Sequence, residues 1–429
     1  MGGLSHYLKL TKEPQSCYVS AQKLEDLVPR DVYDAYMDRL WPNLNDGGAV
    51  DADVTFYLGH RDPFSLTCPG GANGVFLHTA RALAAAGRSV RFYANFPQPF
   101  SEQSDVDGRL VFEHSTRFRV SATYQTLVLG RPAGILPLLH VRLKAARLVL
   151  DPQDFVHSSF LTALRTACHV ENHVHKLVVR SQHQLRTLRD AFAEHFAHWE
   201  PRLMHVPRGG ANPDARAWAL APSEALERRP HAFVFLAHWS KGLEATVRYQ
   251  WPILRRNFPA ATLDVLQPLE TKAYASSQQL PAALQTLLQR QPGVTFHGHL
   301  ANRQDVQRVL HRASWLLYFT ACPVDMAGTA IYDAAVAGVV PLLSQQHIYS
   351  ELPGLGLPGD PTTPDGHQQA SAEMVRIVAA GAYATYASRL QADALKATYD
   401  VVGASWDAFF RAPSPPKAPR KKLKAPVLL

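Results

Sequence analysis

Residues 53–96 read DVTFYLGHRDPFSLTCPGGANGVFLHTARALAAAGRSVRFYANF. The apolar run DVTFYLG predicts a buried strand, PGGANG a glycine-rich loop, and VFLHTARALAAAG a helix. Val75, Thr79 and Leu83 recur at helical spacing, and Gly87 stands where a left-handed residue would end the helix. SVRFYANF predicts a second strand. Strand, helix and strand in this order form a β-α-β unit, which predicts a parallel sheet with right-handed crossovers.

Working outward, TLVLG, ARLVL and KLVVRS add further short strands. At VPRGGANPDARAWALAPSEALERRP the composition shifts to Pro, Gly, Ala and Arg, as at a junction between domains. The alternation then restarts. AFVFLA predicts a strand, HWSKG a loop, and LEATVRYQWPILRRNF a helix that Pro252 would kink. ATLDVL, GVTFHG, the helix NRQDVQRVLHRA, WLLYF and VVPLLS continue the pattern. The fold class expected is α/β, with two Rossmann-like parallel-sheet domains facing across a cleft, and ligands outside the carboxyl ends of the strands. The expected boundaries are an N-terminal extension over 1–50 with an amphipathic helix near Ala21–Leu40, a first domain over 51–210, a linker over 211–228 and a second domain over 229–385. A C-terminal helix over 386–411 would cross back to the first domain, before a disordered basic tail over 412–429.

The 429 residues are too many for one ordinary core, and 46% hydrophobic with 19% charged residues reads as globular. No run approaches the length of an apolar membrane helix; GILPLLHVRLKAARLVL is broken by His140, Arg142, Lys144 and Arg147. MGGLSHYLKLTKEPQ lacks the apolar core of a signal peptide, and His6 stands where myristoylation requires Ser or Thr. Cys17, Cys68, Cys168 and Cys322 are scattered without any CxxC, which argues against a disulfide framework or zinc ribbon and fits a reducing, cytoplasmic location. The formal net charge of +8 rests partly on the tail PPKAPRKKLKAPVLL, which suits peripheral contact with an anionic membrane. RKKLK has no interleaved aromatic residues, so no nucleic-acid partner is expected.

PGGANG matches neither the dinucleotide fingerprint nor a P-loop. Its Gly70 and Gly71 would let a ligand approach the backbone, or serve an ordinary βα turn. In HWSKG, Lys241 opens a helix after a strand, placed either to neutralise a phosphate or simply to be solvated. HVENHVH is H-x-E-x-H, not a zincin motif, and His169 and His173 lack an identifiable third ligand, so no metal is expected. In CPVDMAGTAIYDAAVAGVVPLLS, residues 322–344, Gly328 and Thr329 begin an alanine-rich helix whose first amides would face a diphosphate. Asp325 would bond hydroxyls from the preceding loop and Asp333 would reach a ribose. The alternative is that Asp325 complements the helix dipole and Asp333 is a surface residue.

Three segments, PGGANGVFLHTARALAAAGRSVRFYAN, VFLAHWSKGLEATVRYQWPILRRNFPAATLDVL and GVTFHGHLANRQDVQRVLHRASWLLYFTACPVDMAGTAIYDAAVAGVVPLLS, together resemble the group 1 retaining glycosyltransferases of the glycosyltransferase B fold. The likeness runs from residue 53 to 345, and the third segment is the most specific. That family carries two glutamates separated by seven residues; here Asp325 and Asp333 hold the two positions. The resemblance implies that Asp325 contacts the transferred sugar, that Gly328 and Thr329 offer amides to the diphosphate, and that Asp333 binds the ribose. It also implies that Lys241 holds phosphate, that His299 and Leu300 cradle the base, and that His238 stands near the family's usual arginine position. Asp154 and His157, in LDPQDFVH, are the candidates for the first domain's catalytic position.

The function expected is transfer of a sugar, hexosyl or pentosyl, from a nucleoside diphosphate donor to the hydroxyl of a glycan, lipid-linked or protein acceptor. The resemblance implies retention of configuration without cofactor or metal. Two other readings remain open: a catalytically inactive sugar-nucleotide or glycan-binding protein, and a sugar-nucleotide epimerase of the same fold.

Overall fold

The computed structural model describes residues 47–59, 64, 66, 71–131, 138, 143–153, 174–193, 196–206, 228–267, 280–300, 303–321 and 328–412. The expected helix near Ala21–Leu40, Gly70, Asp154, His157, His169, His173 and Asp325 lie outside the described residues. So do nearly all of the expected linker and the tail from residue 413.

Among the described residues, the first half of the chain builds an eight-stranded sheet. Its strands are β1 (Val54–Tyr57), β2 (Val90–Ala94), β3 (Gln103–Asp105), β4 (Leu110–His114), β5 (Thr123–Gly130), β6 (Lys144–Asp151), β7 (Val174–Val179) and β8 (Leu203–His205). The order is β3-β4-β2-β1-β5-β6-β7-β8, parallel throughout except that β3 runs against β4. Helix α1 (Gly71–Ala85) makes the crossover from β1 to β2, and α2 (Gln182–Phe192) follows β7. All four residues of β1 are buried, because helices cover both faces of a parallel sheet.

Among the described residues, the second half forms a six-stranded sheet, parallel in all its pairings, ordered β11-β10-β9-β12-β13-β14. Its strands are β9 (Ala232–Leu236), β10 (Thr262–Gln267), β11 (Val294–His299), β12 (Trp315–Tyr318), β13 (Val340–Ser344) and β14 (Leu355–Leu357). Around them lie α3 (Trp251–Asn257), α4 (Ala282–Arg290), α5 (Arg303–Arg312), α6 (Thr329–Val336), α7 (Pro364–Ala379) and α8 (Tyr383–Leu395), and the chain then continues into α9 (Tyr399–Arg411). Both halves are thus α/β units built on parallel sheets, as the alternation of strand and helix patterns predicts. No helix of the described residues is long and apolar enough to cross a membrane.

Pro252 does not simply bend one long helix. It falls in the first turn of α3, directly after the π-helical segment Thr246–Gln250. Proline offers no N–H to the carbonyl four residues back, and the wider π turn absorbs that missing bond. The stretch 386–411 is likewise not one helix. The chain breaks between α8 and α9, where Thr398 turns extended (φ −68°, ψ 159°) as the N-cap of α9. A β-branched residue has low helix propensity and gives up little by leaving a helix, although the Thr398 hydroxyl makes no cap hydrogen bond here.

Helix α9 packs against the first sheet. Its Val402, Trp406 and Phe410 join Phe56, Phe76, Leu83 and Phe92 in one core, with the Trp406 ring 6.1 Å from that of Phe56. The opposite face of that sheet buries Tyr57, Phe118, Leu127, Leu188 and Trp199. The Arg147 guanidinium donates to the carbonyls of Phe410 and Ala412, 2.8 Å each, and so covers carbonyls at the end of α9. Where α9 crosses α1, a Cβ on Gly403 would stand 2.5 Å from the Ala82 Cβ. Gly403→Ala should therefore lower stability by about 1–3 kcal/mol through overpacking, despite alanine's better helix propensity. A rise in melting temperature would contradict the tight crossing.

Three histidines are held below their ordinary pKa, in each case chiefly by burial: His114 (with Arg117 adding repulsion), His311 (with Arg228) and His367. His367 is tied in its neutral form, with Nε2 donating to the Pro361 carbonyl at 3.0 Å and Nδ1 accepting from Gln250 Nε2 at 2.9 Å. The unfolded chain takes up these protons at the ordinary value near 6.5, before the folded protein does. Their contribution to stability is complete above that value and is lost as pH falls through the lowered folded pKa values. Denaturation midpoints should hold steady from pH 8 to 7 and decline toward pH 5; a midpoint unchanged across that interval would contradict the shifts.

Candidate functional site

The chain leaves β9 for β10 and β11 on one side, then returns to place β12 against the other side of β9, with Trp315 beside Phe233 and Leu316 beside Val234. This reversal makes a crevice at the carboxyl ends of β9 and β12, where open α/β sheets take their ligands. Two loops flank it. One is the turn His238–Gly242; the other begins at Phe319–Ala321, directly after β12.

The first loop is a compact turn. Lys241 N donates to the His238 carbonyl (2.9 Å), Leu243 N donates to that of Trp239 (3.1 Å), and His238 Nδ1 bonds Ser240 Oγ (2.6 Å). Gly242 closes the turn in the left-handed region (φ 94°), a conformation that costs glycine almost nothing. A Cβ there would lie 3.5 Å from the Phe319 carbonyl oxygen and 3.6 Å from the Thr320 Cβ, so the turn rests directly on the end of β12. Thr320 is in turn fixed by the buried Ser344 Oγ, which donates to its carbonyl at 2.7 Å. Lys241 is half-buried beside this junction.

On the other side Gly328, also left-handed (φ 59°), is the N-cap of α6. Ile331 and Tyr332 donate to its carbonyl at 2.9 and 3.3 Å, so the amides of Thr329 and Ala330 precede the first intrahelical bonds. The first turn of α6 carries no acidic residue, which leaves the positive end of the helix dipole uncompensated from within. Asp333 sits about one turn further along, half-buried. The Leu352 side chain packs so closely on Gly328 that any Cβ there would collide with its Cδ1.

His299 ends β11, the outer strand of the same sheet, and Leu300 follows, packed on the second core. His297 Nε2 and Asp264 Oδ1, 2.6 Å apart, tie β11 to β10 beside a bulge at Val265/Leu266. His238 and Lys241 thus lie in the turn after β9, while Gly328 caps α6 and Thr329 and Asp333 lie within that helix, which follows the neighbouring strand β12. His299 and Leu300 share the carboxyl edge but stand two strands from β9. Gly71 belongs to the other sheet, where it opens α1.

That other sheet has its own reversal, between β1 and β5. Arg131 leaves β5 with a left-handed backbone (φ 61°), and its Nη1 donates to Asn73 Oδ1 in the first turn of α1 at 3.0 Å. Two strands along, Asp151 at the end of β6 and Arg180 just after β7 form an ion pair with both side chains 1% exposed. Arg180 Nη2 lies 2.5 Å from Asp151 Oδ2, and Nε lies 3.4 Å from Oδ1. The sequence reading passed over Asp151, although it stands in the same LDPQD stretch as Asp154. Only its distance along the chain from Arg180 hid it.

The two carboxyl edges face each other. Glu351, which ends the 3₁₀ turn His347–Glu351 after β13, accepts from the backbone N–H groups of Gln182 (2.9 Å) and His183 (2.7 Å) at the start of α2. The cleft is thereby bounded by the second sheet's switch point on one side and the ends of β5, β6 and β7 on the other.

No protein-family model matches the chain, and no curated protein matches it in sequence. Solved structures do match in shape. A UDP-forming α,α-trehalose-phosphate synthase from Burkholderia vietnamiensis superposes with a TM-score of 0.60 at 11% identity, over 83% of this chain and 99% of that one. A sucrose-phosphate synthase from Thermosynechococcus elongatus gives 0.60 at 15% identity, over 83% and 98%. HepE of Anabaena, in complex with UDP and glucose, gives 0.53 at 14% identity, over 83% and 98%. The fold is glycosyltransferase B. At such identities the likeness concerns the fold alone, and it agrees with the two-sheet architecture expected from the sequence. Within a glycosyltransferase B cleft, the switch point between β9 and β12 belongs to the C-terminal domain.

Proposed function

We propose that the protein is a glycosyltransferase that moves a sugar from a nucleoside diphosphate to an acceptor hydroxyl. The observation that carries the reading is that the Lys241 turn follows β9 and α6 follows β12, the two strands paired at the switch point. One cation and a pair of leading helix amides in a crevice suit a diphosphate. Asp333, half-buried one turn into α6, is assigned to the ribose, and the His299–Leu300 edge to the base. Asp325, three residues before Gly328, takes the hydroxyls of the transferred sugar. One of the similar structures is a UDP-forming synthase and another is in complex with UDP and glucose, which favours a UDP-hexose among the possible donors.

Retention follows from the family resemblance. The acceptor oxygen attacks the anomeric carbon on the face from which the diphosphate leaves; the carbon–oxygen bond to phosphate breaks as the new glycosidic bond forms. The departing phosphate oxygen takes the acceptor proton. Lys241 and the α6 amides stabilise the charge that grows on the leaving group, the task a divalent ion performs in other enzymes. The basic tail attaches the enzyme to anionic cytoplasmic surfaces and takes no part in the chemistry.

A panel of nucleotide sugars tests the reading. A donor that binds only the folded state raises the melting temperature, and a UDP-hexose should do so most. Transfer from that donor should persist in EDTA. A panel without any shift would refute the donor site. A donor that binds without transfer or hydrolysis would point instead to a binding protein, and loss of activity in EDTA restored by a divalent ion would overturn the charge assignment.

A further inference from the structure

We propose that Glu351 is a clasp that holds the cleft closed, and that Leu352 beside it connects the clasp to the turn that opens α6. The first part rests on the contact between the halves of the molecule. Helix α2 has no acidic residue in its first turn, and its N-cap Ser181 Oγ accepts from Gln184 N, at 2.9 Å. The N–H groups of Gln182 and His183 are orphan donors of that helix. The Glu351 carboxylate, arriving from the other half of the molecule, takes one on each oxygen. Such charge-assisted bonds on a helix N-terminus are short and directional. Arg186 Nη2 stands 3.6 Å from the same carboxylate, and the rings of His183 and His347 lie 5.3 Å apart across the junction. The Glu351 side chain is only 15% exposed.

The receiving end is held rigidly. The buried Asp151–Arg180 pair fixes the end of β7, and Arg180 N donates to Gln184 Oε1 at 2.8 Å, so α2 begins at a set position. The Glu351 end is held against the turn that opens α6, because Leu352 Cδ1 occupies the space beside Gly328 and Cδ2 would lie 3.1 Å from a Cβ there. A segment that touches Gly328 through one residue and α2 through the residue before it moves with both. Glu351 is thus a positioning residue: its two carboxylate oxygens are taken up by α2, and it sets the distance between the two carboxyl edges. The link to donor occupancy rests on the proposed glycosyl transfer; the clasp itself does not.

Hydrogen exchange on the full-length protein, with UDP as the probe, separates the two. In the wild type the amides of Gln182 and His183 should be protected, and more so with UDP. In Glu351→Ala they should exchange about ten-fold faster or more, while peptides from β5 to β7 stay unchanged. Glu351→Gln, which keeps one acceptor oxygen, should fall between them. If the wild-type amides exchange freely, or if both variants match the wild type, the clasp is refuted; should the alanine variant lose protection everywhere, the glutamine variant decides. UDP that raises the melting temperature yet leaves these amides unchanged overturns the link to Gly328. If no donor or nucleotide binds, the functional reading and the link fall together, and the clasp still stands or falls on the variants. With an active enzyme, Glu351→Ala should raise donor hydrolysis relative to transfer, because an open cleft admits water.

Discussion

Asp151→Ala should lower the stability of the first sheet by about 3–5 kcal/mol, the cost of leaving a buried charge without its partner. Asp151 and Arg180 meet at the carboxyl ends of β6 and β7 with side chains 1% exposed, so water cannot take over for the missing carboxylate. The pair is not evidence of stability in itself. Removing two charges from water costs much of what their attraction returns, and an apolar pair of similar volume does comparably well. Asp151→Leu with Arg180→Met should therefore recover most of the loss, although the start of α2 would then be less firmly placed. Denaturant unfolding of the single and double variants measures both terms. A single variant that loses under about 1 kcal/mol would mean that the site relaxes enough to admit water.

The second large effect concerns the two aspartates, which should fail in different ways. If Asp325 holds the transferred sugar as proposed, Asp325→Asn keeps the volume but removes a charge and an acceptor where geometry changes on the way to the transition state. It should lower kcat about ten- to a thousand-fold. Asp333 is assigned to a part of the donor that does not react, so Asp333→Asn should mainly raise the donor KM. Binding energy from remote groups also feeds into kcat, and the contrast is one of degree. If Asp325 only complements the α6 dipole and Asp333 is only a helix residue, both folded variants keep wild-type kinetics. Melting curves on each variant exclude misfolding as the cause of any loss.

Much of the architecture was legible because it rests on local pattern. Runs such as DVTFYLG and AFVFLA are apolar without alternation, as strands covered on both faces must be, and the stretches between them repeat at helical spacing. The short edge strands β3, β8 and β14 carry no such signature, because three residues at a sheet edge need not be apolar. In the candidate site, the start of α6 could be read from Gly328-Thr329 and the alanines that follow, since a helix start is written in adjacent residues. That the Lys241 turn would rest on Phe319 and Thr320 could not be read, because it depends on β12 lying beside β9.

The sequence by itself determined the alternation of strand and helix, the two α/β halves and the acidic and glycine positions around α6. Each of these depends on residues within a few turns of one another. Only the tertiary structure decided which loops meet at the switch point, that Asp151 lies against Arg180, and that Glu351 seats on α2. Those contacts join residues up to 169 positions apart. A carboxylate that will end on a buried guanidinium or a helix N-terminus looks, in the chain, like any surface acid; its role exists only once the sheets have set the distance between the partners.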